Sequence, residues 1–254
     1  MLQNDIHRAL ESRDILLMTH LVLGYPSFAV NRQVVKQMAS AGVELIELQI
    51  PFSEPVADGP VIARACQASI AAGTTVEQCL AFAAEMAGSH PKVVFLVMTY
   101  YNIVFRLGEA AFIDRARRAR VRGLIVPDLP IEEGADFFQA VRRAGIDPIQ
   151  IFAPTSVDAR MHELEAFADG FIYCVARRGV TGAETSFGPE FDAYLTRCRA
   201  ATDLPLAVGF GIRGREDVDQ LLGKADIAVI GSETIRIVDE HGPEAAGPFL
   251  AGLR

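Results

Sequence analysis

The chain has 254 residues, half of them apolar, and it carries a formal net charge of −8 at pH 7 with a pI near 5.2. The apolar content is sufficient for a large core, and the acidic balance argues against a nucleic-acid or anionic-membrane surface. The longest apolar runs, such as VVFLVM at 93–98, are far too short to span a bilayer. The N-terminal segment is charged and has no apolar signal region, so we expect a cytoplasmic location.

Short β-rich runs alternate with helical patterns along the chain. Strands are predicted at 15–22, 43–50, 93–99, 123–126, 148–152, 171–175, 204–208 and 227–230. Helices are predicted at 28–40, 61–71, 76–88, 108–119, 132–144, 157–167, 188–200, 215–223 and 243–252, with an extra amphipathic helix at the N-terminus. Because alternating strands and helices form parallel sheets, eight such units favour an α/β (β/α)₈ TIM barrel over an open sheet. No linker divides the chain, so residues 1–254 are expected to form one catalytic domain.

The second predicted strand carries polar groups on an otherwise apolar face. In VELIELQI (43–50), alternation places Glu44, Ile46, Leu48 and Ile50 on one face and Val43, Leu45, Glu47 and Gln49 on the other. The second of these faces is apolar at its start and polar near its carboxyl end, where active sites of this barrel lie. We therefore predict that Glu47 points into the mouth of the barrel.

A second carboxylate, Asp58, follows in a loop that contains Pro51, Pro55 and Pro60. Two carboxylates at one mouth suit proton donation and removal at different atoms, and apolar walls should raise the pKa of Glu47. The alternative for Glu47 is a buried acid paired with Arg or Lys, although the neighbouring loop has no basic residue. The alternative for Asp58 is a plain turn residue, since Asp-Gly pairs are common in turns.

Glycine-rich turns follow the last three predicted strands. They contain Gly182, Gly211, Gly231 and Ser232, whose backbone amides and hydroxyl suit an anion. Loops at this position in the barrel often bind phosphate, so a phosphorylated small molecule is the expected ligand. The alternative for any single glycine is a tight turn. The histidines and the four cysteines show no metal-ligand spacing, so no metal site is expected.

The segment IELQIPFSEPVADGP (46–60) resembles the signature of tryptophan synthase alpha chains. The resemblance continues through MTYYN (98–102), VPDLPIEE (126–133), FIYCVARRGVTGAE (171–184), VGFGI (208–212) and IGSETI (230–235). These motifs occur in order over essentially the whole chain, which makes the resemblance far more specific than any one of them.

The resemblance implies a lyase that performs a retro-aldol cleavage of indole-3-glycerol phosphate to indole and glyceraldehyde 3-phosphate. Glu47 matches the catalytic glutamate, and Asp58 matches the catalytic aspartate that helps polarise the indole N–H. The matching substrate-binding positions are Tyr173, Thr181, Phe210, Met98 and Ile125, and the matching phosphate-binding positions are Gly182, Gly211, Gly231 and Ser232. The loops at 52–60 and 176–188 would act as lids.

The resemblance also implies a partner. Alpha chains of this family need no cofactor of their own and pair with a beta chain that carries pyridoxal phosphate (PLP), in an α₂β₂ heterotetramer. The predicted partner surface includes the 52–60 loop and YYNIVF at 100–105.

The sequence departs from the family pattern at Gln49, where glycine is usual, and at Glu54 and Tyr25, where aspartate or another acid is usual. The Gln49 amide could hydrogen-bond Glu47 or narrow the pocket. One alternative is therefore a weakly active barrel that mainly activates a beta-type partner when ligand is bound. Another alternative is a related phosphate-binding barrel lyase with a different substrate.

Overall fold

The computed structural model describes residues 2–175, 188–209 and 211–254. Within these residues, parallel strands close into a barrel in chain order, and the last strand pairs with the first. The strands are β1 (Leu16–Val22), β2 (Leu45–Gln49), β3 (Val94–Met98), β4 (Gly123–Ile125), β5 (Asp147–Phe152), β6 (Ile172–Val175), β7 (Leu206–Gly209) and β8 (Ile227–Ile230). The predicted TIM barrel and the positions of its eight strands are confirmed, with the strand ends differing by one or two residues.

Helices surround the barrel. They are α1 (Leu2–Leu10), α2 (Phe28–Ser40), α3 (Pro60–Ala71), α4 (Val76–Ser89), α5 (Tyr101–Leu107), α6 (Glu109–Arg118), α7 (Ile131–Arg143), α8 (Asp158–Glu165), α9 (Pro189–Ala201), α10 (Arg215–Asp219), α11 (Ser232–His241) and α12 (Ala246–Ala251). Local sequence explains the start of helix α4, where Thr75 and Gln78 form a reciprocal capping box. None of the helices in the described ranges is both long and apolar enough to cross a membrane.

Two helices, α5 and α11, were not expected from the sequence pattern, and α10 is shorter than the predicted 215–223. Both unexpected helices begin within three residues of a strand end, where the pattern indicates a loop. They are stabilised by burial in the tertiary structure, since Val104 of α5 and Ile235 of α11 are buried.

The apolar side chains form an inner layer within the barrel and an outer layer beneath the helices. On β2, Leu45 belongs to the inner layer, whereas Ile46 and Leu48 belong to the outer one, as the alternation predicts. The prediction that Val43 shares the inner face with Leu45 is wrong, because Val43 packs in the outer layer. The strand begins only at Leu45, so the two-residue period does not extend back to Val43.

Helix α1 closes the amino-terminal end of the barrel. Its Leu2 and Ile6 are buried against the inner layer, and the Leu2 backbone N–H donates to Asp147 Oδ2 at 2.9 Å. Arg122 at the start of β4 pairs with Asp5 of α1 at 2.8 Å. Glu44 lies at the same end and is only half-buried, with Arg13 at 3.0 Å and Arg254 at 2.7 Å. The carboxyl end of the barrel is therefore the end left for a site.

Candidate active site at the carboxyl end of the barrel

Glu47 occupies the inner face of β2, level with His20 of β1 and Leu96 of β3. Its side chain is only 4% exposed, and its Oε2 atom has no hydrogen-bond partner among the described residues. Burial, reinforced by the negative charge of Asp58, raises the pKa of Glu47 from 4.5 to about 8. No Arg or Lys of the described chain pairs with it, so the alternative of a salt-bridged structural acid finds no support there.

Asp58 lies in the loop between β2 and α3, one residue before the Gly59 that precedes α3. Its Oδ2 atom accepts hydrogen bonds from Gln49 Nε2 at 2.6 Å and from the Tyr100 hydroxyl at 2.9 Å. Burial raises the pKa of Asp58, while the hydrogen bonds from Gln49 and Tyr100 lower it in part. Because side chains from two strand ends hold the carboxylate, Asp58 is more than a turn residue.

Tyr100 lies within the MTYYN motif and was predicted only as part of the partner surface YYNIVF (100–105), but the structure places it at the site. The side chain is fully buried, and its ring stacks on Phe52 with centroids 5.0 Å apart. Its hydroxyl also accepts a hydrogen bond from the Ala57 backbone N–H at 3.1 Å. Tyr100 therefore ties the 52–60 loop to the end of β3.

His20 is a second residue that the sequence analysis missed. It lies on β1 at two-residue spacing from Leu16 and Met18, which are both in the inner layer. A polar residue at that spacing near the end of an apolar strand is the signal that could have identified it. His20 Nε2 lies 2.6 Å from Gln49 Oε1. The Gln49 amide thus bonds His20 and Asp58, and the suggested hydrogen bond to Glu47 is not formed.

Apolar side chains line the mouth of the barrel beside and opposite the acids. Met98 and Ile125 are neighbours in the β3–β4 register, both are buried in the inner layer, and Met98 is level with Gln49. Tyr173 of β6 lies over Gly209, where a Cβ atom would come within 2.8 Å of its hydroxyl. Burial and the charges of Glu47 and Asp58 raise the pKa of Tyr173 well above 10. Tyr173 therefore lies within electrostatic range of both acids.

Two of the proposed phosphate-binding turns are described. Gly211 has φ +68°, a conformation that favours glycine. Gly231 immediately precedes α11, and no side chain caps that helix start. By contrast, the backbone N–H groups of Arg213 and Gly214, before α10, already donate to Asp217 Oδ2. The start of α11 at Ser232 thus retains amides for an anion, whereas the amides of Arg213 and Gly214 are already engaged.

Strand register relates the acids to these turns. His20 is level with Glu47, and Thr19 is level with Ile230, so Gly231 and Glu47 are both in register with His20. They are two strands apart, which corresponds to roughly 10 Å at about 4.8 Å per strand. One small molecule can therefore span both groups. Thr181, Gly182, Phe210 and nearly all of the predicted 176–188 lid lie outside the described residues.

Residue types at the site indicate which ligands it can hold. In the described part of the chain, no three His, Cys, Asp or Glu side chains lie together as a metal site requires. The four cysteines are free and buried, away from the acids of β2 and its loop except for Cys66. What remains at the mouth is a pair of carboxylates, an apolar wall and a helix start suited to an anion.

The chain was compared with known proteins. A sequence profile of the tryptophan synthase alpha chain family matches residues 6–247. The chain is 58% identical to the tryptophan synthase alpha chain of Desulfotalea psychrophila over 253 residues, covering 100% of this chain and 99% of the relative. It is 50% identical to that of Syntrophotalea carbinolica over 254 residues, covering 100% of each.

Among solved structures, the chain is similar to a tryptophan synthase from Mycobacterium tuberculosis, with a TM-score of 0.90 and 30% identity. That similarity covers 99% of this chain and 98% of the solved one. The sequence profile, the full-length relatives and the fold all agree. The chain therefore belongs to the tryptophan synthase alpha chain family, whose members are lyases that cleave indole-3-glycerol phosphate.

Proposed function

We propose that Glu47 and Asp58 carry out the retro-aldol cleavage of indole-3-glycerol phosphate in this chain, with residues 1–254 acting as one catalytic domain. The observation that carries the proposal is Glu47 itself, a buried carboxyl with an unpartnered oxygen and a pKa of about 8. A carboxyl that is protonated at neutral pH can give a proton to carbon and then take one from oxygen.

The reaction divides between the two acids. Glu47 donates its proton to indole C3, which makes C3 tetrahedral and leaves positive charge delocalised towards the ring nitrogen. Asp58, as a carboxylate, accepts a hydrogen bond from the indole N–H and stabilises that charge. The Glu47 carboxylate then removes the proton of the glycerol hydroxyl. The C3–C bond breaks, its electrons restore the indole ring, and the new carbonyl belongs to glyceraldehyde 3-phosphate.

The remaining site residues would hold the two ends of the substrate. We propose that Tyr173, Met98 and Ile125 contact the indole ring, together with Phe210 and Thr181. The phosphate would bind the turns at Gly211, Gly231 and Ser232, with Gly182. Support comes from the described members of this set, which place an apolar wall and an uncapped helix start at the same mouth.

We further propose a beta-chain partner that carries PLP, an α₂β₂ assembly, and no cofactor in this chain. Val56 of the 52–60 loop and Phe105 of α5 are 72% and 67% exposed, and exposed apolar side chains on both predicted segments suit a protein partner. The loop contains Asp58 and contacts Tyr100 through Ala57 and Asp58, which would connect the partner surface to the site. Free, buried cysteines fit a reducing compartment, and we propose the cytoplasm.

The proposed function is tested by measuring indole release from indole-3-glycerol phosphate, with the chain alone and with a beta chain. We expect release by the wild-type chain and a loss of roughly 10²-fold or more for Asp58→Asn, because the amide cannot stabilise the cationic ring as a carboxylate does. Ligand binding without indole release would support the alternative of a ligand-responsive activator. Near wild-type release by Asp58→Asn would contradict the role of Asp58.

The phosphate site is tested by Gly211→Leu. The side chain would fill the space next to the backbone amides, and we expect binding of glycerol 3-phosphate to weaken by roughly tenfold or more, as for the loss of charge-assisted hydrogen bonds. Gly223→Leu is a matched control, since Gly223 has φ +73° and precedes β8 at the other end of the barrel. Isothermal calorimetry of both variants makes the comparison. Equal affinities would refute a phosphate site at Gly211.

A further inference from the structure

A chain of hydrogen bonds joins three strand ends at the mouth of the barrel. It runs from His20 of β1 through the Gln49 side chain of β2 to Asp58, which Tyr100 also contacts after β3. The two bonds to Gln49 are both 2.6 Å, and Gln49 is fully buried. Gln49 lies at a position where the family signature usually has glycine. The signature therefore does not explain these hydrogen bonds.

The chemistry of Asp58 fixes the direction of these bonds. An ionised carboxylate only accepts hydrogen bonds, so the Gln49 amide nitrogen must face it. The amide oxygen then faces His20 Nε2, which must carry a proton to donate to it. His20 is thus the Nε2–H tautomer, and burial, the largest effect on it, lowers its pKa and favours this neutral form.

The two bonds that described residues donate to Asp58 both reach Oδ2. Gln49 and Tyr100 thus hold the same oxygen of the carboxylate, and the indole N–H is proposed to donate to Oδ1. A carboxylate on a loop would otherwise rotate about its side-chain bonds. Tying one oxygen to β2 and to Tyr100 selects one orientation and favours the ionised form.

We propose that Gln49 is a positioning residue that keeps Asp58 ionised and oriented for the indole N–H, and that His20 sets the orientation of the Gln49 amide. This rests on the proposed role of Asp58 and extends it with two residues outside that assignment. His20 and Gln49 act through Asp58 and need not touch the substrate. The hydrogen bonds connect the Asp58 carboxylate to two barrel strands and so restrict the rotation of its side chain.

The titratable groups that face Asp58 come from several elements: His20, Glu47, Cys66 of α3, Tyr100 and Tyr173. Among the described residues that influence Asp58, no Arg or Lys is present. Within the part of the chain that the structure describes, removing the Gln49 donor would leave Tyr100 as the one hydrogen-bond donor to this carboxylate. We expect the pKa of Asp58 to rise by about one unit, as for the loss of one hydrogen bond to a charged group.

The first test replaces Gln49 with Met, which has similar volume and no hydrogen-bonding amide. The acidic limb of kcat/KM for indole release should move to higher pH by about one unit. The carboxyl ¹³C resonance of Asp58 should titrate with the same shift, which can be measured even if the chain releases no indole. Binding of glycerol 3-phosphate should stay unchanged. An unmoved acidic limb and an unmoved ¹³C midpoint in Gln49→Met would overturn the proposal.

A matched pair at His20 separates its two ring nitrogens. The amide nitrogen of Gln can occupy the position of Nε2, whereas that of Asn falls near Nδ1. We expect His20→Gln to keep the wild-type pH profile and His20→Asn to move the acidic limb in the same direction as Gln49→Met. The reverse pattern would show that the effect depends on Nδ1, which has no partner among the described residues. That result would contradict the proposed hydrogen bond from His20 Nε2 to Gln49.

Discussion

Replacement of Glu47 by glutamine is expected to lower the rate of indole release by roughly 10²–10⁴-fold, the usual contribution of one general acid–base group. The upper part of that range is expected because the same carboxyl serves two proton transfers. The amide has similar size, so glycerol 3-phosphate should bind with unchanged affinity. Single-turnover assays with indole-3-glycerol phosphate measure the first quantity, and calorimetry measures the second.

The pH profile of the wild-type chain provides a second readout of Glu47. Since Glu47 must start protonated and its pKa is about 8, kcat/KM should fall as the pH rises through about 8. The residual activity of Glu47→Gln should lack this limb. Glu240→Gln, at an exposed acid of α11, serves as the control and should keep both the rate and the limb. Wild-type turnover in Glu47→Gln would contradict the assigned role.

The same substitution is expected to stabilise the fold at high pH. The pKa of Glu47 is raised on folding, so its ionisation opposes the folded state, and the penalty grows as the pH rises above 4.5 and levels off above about 8. At about 1.4 kcal/mol per pKa unit, raising the pKa from 4.5 to about 8 corresponds to roughly 4–5 kcal/mol. Glutamine cannot ionise and avoids this penalty.

Urea unfolding of the wild type and Glu47→Gln at pH 5 and pH 8.5 measures this effect. The difference in free energy of unfolding should favour the variant by several kcal/mol more at pH 8.5 than at pH 5. Glu240→Gln should show no comparable change, because that side chain is 66% exposed. If the difference were the same at both pH values, Glu47 would not carry a raised pKa. Lower activity together with higher stability would identify Glu47 as a functional residue that costs folding energy.

Much of the barrel could be predicted from local sequence. Strand–helix alternation and two-residue periodicity placed all eight strands and the inner face of β2. They do so because the burial of a face determines which residue types recur along the sequence. The misassignments are one residue before a strand and two helices, α5 and α11, that follow strands closely. Val43 precedes the strand and packs outside it, and α11 begins directly after β8 at Ser232, where glycine and serine resemble a loop.

The candidate site could be predicted only in part. Glu47 stands out because a carboxylate interrupts an apolar run, and Asp58 stands out because prolines hold its loop. His20 has only the weaker signal of its two-residue spacing from Leu16 and Met18, and the partners of His20 and Tyr100 are 29 and 42 residues away along the chain. Gln49 was recognised as unusual, but its partners depend on how β1 and β2 align.

The order of residues alone thus determined the parallel barrel, the end that carries the site and the two acids within it. These follow from periodicity and from the cost of burying charge, which act on neighbouring residues. Only the tertiary structure decided that Glu47 has no counter-ion among the described residues, and that Gln49 connects His20 to Asp58. Hydrogen bonds and desolvation depend on atoms brought together across strands, and strand register is a property of the closed barrel.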